Sequence, residues 1–211
     1  LGHDLRTPLT SLSTVVETLG AHRQRLTEAE LQDLCQMATA DVNYFKGLLE
    51  QLTVVAALED PRYRASAERV SLRDLVESEN NHRKGHGLRW ESVGVGEPIV
   101  LGDSQLLQRL LKNAYDNAAR YARSTVTTQW RQVGTEWELI VSDDGPGLGQ
   151  EEIQRFATRR EQRRQVGKDG HLSLGLGSVI MRAIAQAHGG SVTIHNSGSG
   201  GAQLVFRFPV I

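Results

Sequence analysis

The chain has 211 residues, 39% of them hydrophobic and 23% charged, with a formal net charge of -1. That length holds one large domain or two modest ones, and the composition is that of a soluble globular protein. A charge so close to zero implies no general attraction to nucleic acid or to an anionic membrane, and the single cysteine, Cys35, excludes an intrachain disulfide and favours a reducing compartment.

The chain opens on Leu1 rather than Met and almost immediately reaches His3-Asp4-Leu5-Arg6-Thr7-Pro8-Leu9, which points to a piece of a longer protein. The heptapeptide places a histidine, an acid, an arginine and a threonine within about one and a half turns of an amphipathic helix. Pro8 has no N–H to offer the carbonyl of Asp4, so the helix is expected to bend just past His3. A neutral imidazole is a good nucleophile, and a neighbouring carboxylate can fix its tautomer and accept its proton. On these residues alone, a capped helix start carrying an incidental histidine remains open.

Residues 1–58 have the pattern of two long helices. The first carries Leu5, Leu9, Leu12, Val15, Val16 and Leu19 at helical spacing and ends near Gly20. Thr27-Glu28-Ala29-Glu30 is a capping box. Beyond it Leu31, Cys35, Ala38, Val42, Phe45, Leu49, Leu52 and Ala56 follow an unbroken 4-3-4-3 repeat, widened by Leu34, Leu48 and Val55. A lone hairpin cannot bury so broad a stripe. The economical solution is a dimer in which two hairpins form a four-helix bundle, the alternative being packing onto the rest of the same chain.

Residues 59–68, with Asp60-Pro61-Arg62 and few apolar side chains, are expected to be a linker, and residues 69–211 a mixed α/β domain. Ser71 is placed to cap a short helix carrying Leu72 and Leu75. Strands are expected at 88–93, 99–101, 125–132, 136–141, 191–194 and 203–208, with a turn at Gly134. Helices are expected over 104–122 and 176–188, the latter stopped by Gly189-Gly190.

Three features of this half carry chemistry. Asn113 and Asn117 are four apart and share a helix face, where their carbonyl oxygens can coordinate a hard cation and their amides can hold phosphate oxygens. Asp143-Asp144-Gly145-Pro146-Gly147-Leu148 follows a strand, so Asp143 presents a carboxylate beside a tight turn, where it can accept from an exocyclic amine. Leu174-Gly175-Leu176-Gly177-Ser178 opens a helix, whose backbone N–H groups can meet an anion. Between the last two, residues 149–173 are polar and without periodicity, and Arg155, Arg159, Arg160, Arg163 and Arg164 mark a loop able to close on phosphates. An exposed polar helix face, a simple Gly-Pro-Gly turn and a glycine-rich loop end are the plainer readings of each.

Taken in order, His-Asp-Leu-Arg-Thr-Pro-Leu, Asn-x-x-x-Asn-Ala, Asp-x-Gly-Pro-Gly and Leu-Gly-Leu resemble the histidine, asparagine and two glycine boxes of the sensor histidine kinases of two-component signalling. The resemblance covers essentially the whole chain. It implies an α hairpin (a dimeric four-helix bundle) followed by an α/β sandwich ATP-binding domain of the histidine-kinase, Hsp90 and gyrase type. It implies autophosphorylation by ATP with Mg²⁺, then phosphotransfer to a response-regulator receiver domain. His3 would be the phosphoacceptor, Asp4 its hydrogen-bonding partner and base, and Thr7 the orienter of water when the regulator is dephosphorylated. Asn113 would bind the metal, with Asn117 near the phosphates. Arg120 and Tyr121 would line the nucleotide pocket, Asp143 would recognise adenine, and Gly145 and Gly147 would shape its surroundings. Leu174, Gly175 and Leu176 would anchor a lid at the phosphates. The family places such a fragment in the cytoplasm, the parent protein being anchored upstream in the bacterial inner membrane.

Departures from that pattern are expected to affect the lid. His171 and Ser173 stand where the family usually has glycines, Arg159 where it has the second of two aromatics that begin with Phe156, and the helix after Ser71 looks shortened. Two other functions share these motifs: a different ATPase on the same nucleotide fold, and a degenerate kinase serving as a scaffold or chiefly as a phosphatase.

Overall fold

The computed structural model describes residues 2–59, 68–85, 87–156, 165–166, 172–173, 176–198 and 200–211; for residues 2–8, 48, 50, 51, 55, 59, 155, 165–166, 172–173 and 176 the description is of backbone. The chain divides into two compact units, Leu1–Val54 and Val55–Ile211. Among the described residues no helix is long and apolar enough to cross a membrane.

The first unit is α1 (Gly2–His22), a 3₁₀ turn (Arg23–Arg25) and α2, whose 32 residues run Glu28–Glu59 into the next unit. α1 continues through Pro8 and two residues past Gly20, so neither residue ends it. The capping box forms as the sequence implies: Thr27 N–H donates to Glu30 Oε2 at 2.8 Å and Glu30 N–H donates to Thr27 Oγ1 at 3.3 Å. The Thr27 N–H and hydroxyl, both donating to Glu30 Oε2 at 2.8 Å, hold the Glu30 carboxyl below its ordinary range. Along α2 the heptad stripe divides in two. Leu31, Ala38, Phe45 and Leu52 are half-buried, whereas Cys35, Val42, Leu49 and Ala56, each seven residues from the next, are exposed. On α1, Leu9 and Val16 repeat the pattern at 58% and 65% exposure.

The second unit is an α/β sandwich. Its strands are β1 (Glu68–Ser71), β2 (Arg89–Gly94), β3 (Ile99–Gly102), β4 (Thr125–Val133), β5 (Glu136–Asp143), β6 (Gln165–Val166), β7 (Leu172–Ser173), β8 (Ser191–Asn196) and β9 (Ala202–Pro209). Its helices are α3 (Leu72–Arg83), α4 (Ser104–Tyr121), α5 (Gln150–Arg155) and α6 (Leu176–Ala187). The main sheet has the order β2-β4-β5-β9-β8, parallel between β2 and β4 and antiparallel elsewhere, while β1–β3 and β6–β7 form separate pairs.

Period-2 alternation sends Trp137, Leu139 and Val141 of β5 to one face, opposite Phe208, Phe206 and Leu204 of β9, and all six are buried. α4 and α6 cover that face with Leu107, Leu110, Leu111, Ile180, Met181 and Ile184, all nearly inaccessible. On the other face Glu138 stands between Arg131 of β4 and Arg207 of β9 in exact cross-strand register, at 2.8 Å from each. Burial pushes the Glu138 carboxyl up, but the hydrogen bonds and charges of the two arginines outweigh it and hold it below its ordinary range.

Helix ends follow their sequence signals. Ser71 Oγ accepts from Asp74 N–H at 3.2 Å, and Asp103 Oδ1 accepts from Gln105 and Leu106 N–H at 2.9 and 3.1 Å. α6 closes with Gly189 at φ 69° and with Gly190 N–H donating to Ala185 O at 2.8 Å. His188, buried just past that helix, donates from Nδ1 to Ile184 O at 2.7 Å and accepts at Nε2 from Asp103 N–H at 2.9 Å, which fixes a neutral tautomer. Segment 149–173, expected to lack regular structure, holds the one-and-a-half-turn α5 and the β6–β7 pair. Glu152 explains α5: its carboxylate accepts the N–H of the N-cap residue Gly149 at 2.8 Å, a stop-start too short to leave a periodicity.

Candidate nucleotide-binding site

Asp143 is the last residue of β5, and its half-buried carboxylate faces inward from the strand end. Oδ1 accepts from Gly145 N–H at 2.8 Å and from Ala202 N–H at 3.3 Å, while Oδ2 takes no hydrogen bond from the described residues. Burial raises this carboxyl above the ordinary aspartate range, against the backbone donors that lower it, and the neighbouring Asp144 charge adds to the rise. The result is a desolvated acceptor with one lone oxygen, suited to an N–H donor on a ligand.

The glycines around it are required by close approach. A Cβ at Gly145 would lie 2.5 Å from Tyr121 O and 2.6 Å from Asp143 Oδ1, and one at Gly201 would fall 1.9 Å from Asp143 O. Gly147 has φ +77°, in the left-handed region. Asp144 points the other way: its carboxylate accepts from the N–H groups of Arg123 and Ser124 at 2.7 and 3.0 Å and from Ser124 Oγ at 2.5 Å, and these donors hold it well below the ordinary range. It thereby ties the turn after α4 to the turn after β5.

Asn113 and Asn117 are half-buried on one face of α4. Asn113 Nδ2 donates to Arg109 O at 2.8 Å, so the amide nitrogen is engaged within the helix. A Cβ on Gly177, the second residue of α6, would lie 3.1 Å from Asn113 Oδ1. The asparagine motif and the last glycine motif, some sixty residues apart in sequence, therefore meet at the N-terminal turn of α6. Arg120 is half-buried and Tyr121 exposed at the end of the same helix. Leu176 opens α6, whereas Leu174, Gly175, His171, Arg159, Arg160, Arg163 and Arg164 lie outside the described residues. Phe156 is half-buried directly after α5, and Ser173 belongs to β7. His3, Asp4 and Thr7 occupy the first two turns of α1 in the other unit.

The donor set suits a nucleotide that carries its own metal. Among the described residues no group of three His, Cys, Asp or Glu could cage an ion. Mg²⁺ characteristically keeps waters and phosphate oxygens and takes only one or two protein oxygens, a demand that a single oxygen such as Asn113 Oδ1 fits. Residues that sequence reasoning passed over are Asp144, Asn196, Gly201 and His188. The Gly200-Gly201 pair in a strand connection was the available signal for one of them.

An ATP-binding sandwich with these motifs in this order defines a class, and comparison with known proteins agrees: residues 102–211 match the model of the histidine kinase-, DNA gyrase B- and HSP90-like ATPases, and the chain belongs to that family. The curated relatives it resembles are sensor proteins and histidine-protein kinases. It is 31% identical to the sensor protein RstB of Escherichia coli over all of this chain and 47% of RstB. It is 33% identical to the histidine-protein kinase/phosphatase MprB of Mycobacterium ulcerans over 95% of this chain and 40% of MprB. The chain thus spans about half or less of the length of these relatives. Among solved structures, histidine kinase AdeS of Acinetobacter baumannii has the same fold, with a TM-score of 0.75, 22% identity, and coverage of 98% and 97% of the two chains.

Proposed function

We propose that this chain is the catalytic core of a sensor histidine kinase that phosphorylates His3 from ATP and passes the phosphoryl group to an aspartate on a response regulator. The observation that carries this is the meeting of Asn113 Oδ1 with the start of α6 in the unit where Asp143 holds out a lone carboxylate oxygen. Asp143 would accept the exocyclic amine of adenine at Oδ2, with Gly145 and Gly147 letting the base approach and Arg120 and Tyr121 lining the pocket. Asn113 would hold Mg²⁺ and Asn117 the phosphates, with the N–H groups of α6 and the anchor at Leu174, Gly175 and Leu176 completing that end. When bound, the metal neutralises charge on the phosphates.

In the transfer a neutral ring nitrogen of His3 attacks the γ-phosphorus in line, the bond to the β-phosphate oxygen breaks, and ADP leaves. Asp4 orients the imidazole and takes its proton. Thr7 supports a second activity, orienting water against the phosphorylated regulator. The presence of that residue in the histidine motif and the kinase/phosphatase name of the relative MprB favour it.

The exposed half of the heptad stripe, Cys35, Val42, Leu49 and Ala56 with Leu9 and Val16, supports dimerisation through the helical unit. Division into a helical unit (1–58), a linker (59–68) and a catalytic domain (69–211) suits these roles. A membrane anchor upstream, in the bacterial inner membrane, fits the share of its relatives that the chain spans. Incubation with labelled ATP tests the reading. The wild type should incorporate phosphate in an acid-labile, base-stable form, and His3→Ala should lose it while ADP affinity is unchanged. Incorporation that persists in His3→Ala would sink the assignment.

A further inference from the structure

The connection between β8 and β9 reaches the site through a residue outside every motif. Asn196, the last residue of β8, accepts at Oδ1 from Leu148 N–H and donates from Nδ2 to Leu148 O, both at 2.8 Å and across 48 residues of sequence. A side chain here does what the backbone of a neighbouring strand would do, closing a ring of two hydrogen bonds on one residue's N–H and C=O. The pairing also fixes which end of the carboxamide is oxygen. Neither a carboxylate nor a single hydroxyl supplies both partners at this size.

Across the β8–β9 register from Asn196 is Ala202, whose N–H is the second donor to Asp143 Oδ1, and next to it Gly201 lets the chain close on Asp143 O. The same turn therefore grips the 143–148 loop at both ends. Gly147 lies against the carboxamide too, since a Cβ there would come 3.0 Å from Asn196 Oδ1. Leu148 is followed by Gly149, the N-cap of α5, so the clamp is the last long-range tie before that helix.

We infer that Asn196 is a positioning residue for base recognition: by holding Leu148 it keeps the 143–148 loop in the shape that turns Asp143 Oδ2 toward the ligand. The inference rests on the adenine-nucleotide reading above. Two variants test it. Asn196→Ala removes both bonds; Asn196→Asp keeps the acceptor for Leu148 N–H but sets an anionic oxygen against Leu148 O. By calorimetry with ADP, both should bind about tenfold more weakly than wild type, equivalent to about 1.4 kcal/mol. KM for ATP in autophosphorylation should rise by the same factor with kcat unchanged, the mark of lost uniform binding. The melting temperature without nucleotide should stay within about 3 °C of wild type. Unchanged ADP affinity in both variants, or weakening matched by loss of the folded state at the assay temperature, would overturn the positioning role. A wild-type chain that binds no ADP would instead overturn the nucleotide site itself.

Discussion

Replacing Asp143 by Asn tests the site at its most specific point. The two side chains are isosteric, and an Asn Oδ1 can still accept from Gly145 and Ala202 N–H, so the turn after β5 keeps its internal bonds. What changes is the far corner, where the lone acceptor Oδ2 becomes an NH₂ donor. An adenine amine now meets a donor rather than an acceptor. The loss is that of a hydrogen bond to a charged group, about 1.5–3 kcal/mol, or roughly 10- to 150-fold in Kd. A 6-oxo purine, which presents an acceptor there, should lose far less, so the ratio of ADP to IDP affinity should fall by at least about tenfold. Calorimetry with both nucleotides measures this directly. The pH dependence has a definite sign. Because burial raises the Asp143 carboxyl, the folded chain holds that proton over a window above the unfolded value of 3.8. Within it, stability without nucleotide falls as pH rises, whereas ADP affinity rises with pH as the acceptor ionises. Asp143→Asn should abolish both trends in that window and leave the apo protein at least as stable as wild type at neutral pH. Equal ADP affinity in variant and wild type would refute the reasoning.

Three further outcomes concern the framework of the second unit and His3. His188→Ala strands the Asp103 N–H and opens a void beneath α4, so urea unfolding should show a loss of about 2–4 kcal/mol, with ADP affinity of the folded fraction unchanged. Glu138→Gln weakens the ladder to Arg131 and Arg207 and should cost about 1 kcal/mol at neutral pH. Because the folded Glu138 carboxyl is depressed, its contribution is fully present above the unfolded value of 4.5 and disappears as pH falls through the folded value, so acid titrations of variant and wild type should converge there. His3→Ala should leave Kd for ADP within about twofold of wild type while phosphate incorporation vanishes, read by filter binding of the labelled protein.

Elements with a strong period were legible in the chain. α4 and α6 announce themselves by leucines and isoleucines at helical spacing, and β5 and β9 by alternation, since in each case one face is buried by a single layer. β1 was not, because four residues carry no usable period and its partner β3 lies about thirty residues on. The parallel pairing of β2 with β4 was likewise silent, being set by where α3 and α4 send the chain. In the site, Asn113, Asp143 and Gly145 were visible because their chemistry is local to short motifs. Asn196 and Gly201 act only through contacts with Leu148 and Asp143, dozens of residues away, and a lone asparagine at a strand end has no distinguishing spacing. Asp144 looked like a duplicate of its neighbour, yet the alternation at the strand end sends it to the opposite side, to Arg123 and Ser124.

His188 also ties together the two helices that carry the asparagine motif and the last glycine motif. It fastens the close of α6 to the start of α4, while eleven residues earlier Gly177 stands where a Cβ would come 3.1 Å from Asn113 Oδ1. Between those two points, about 16 Å apart at 1.5 Å per residue, α6 packs into the core through Ile180, Met181 and Ile184. The separation of the asparagine motif from the last glycine motif is thus set by a buried imidazole and core side chains that belong to neither.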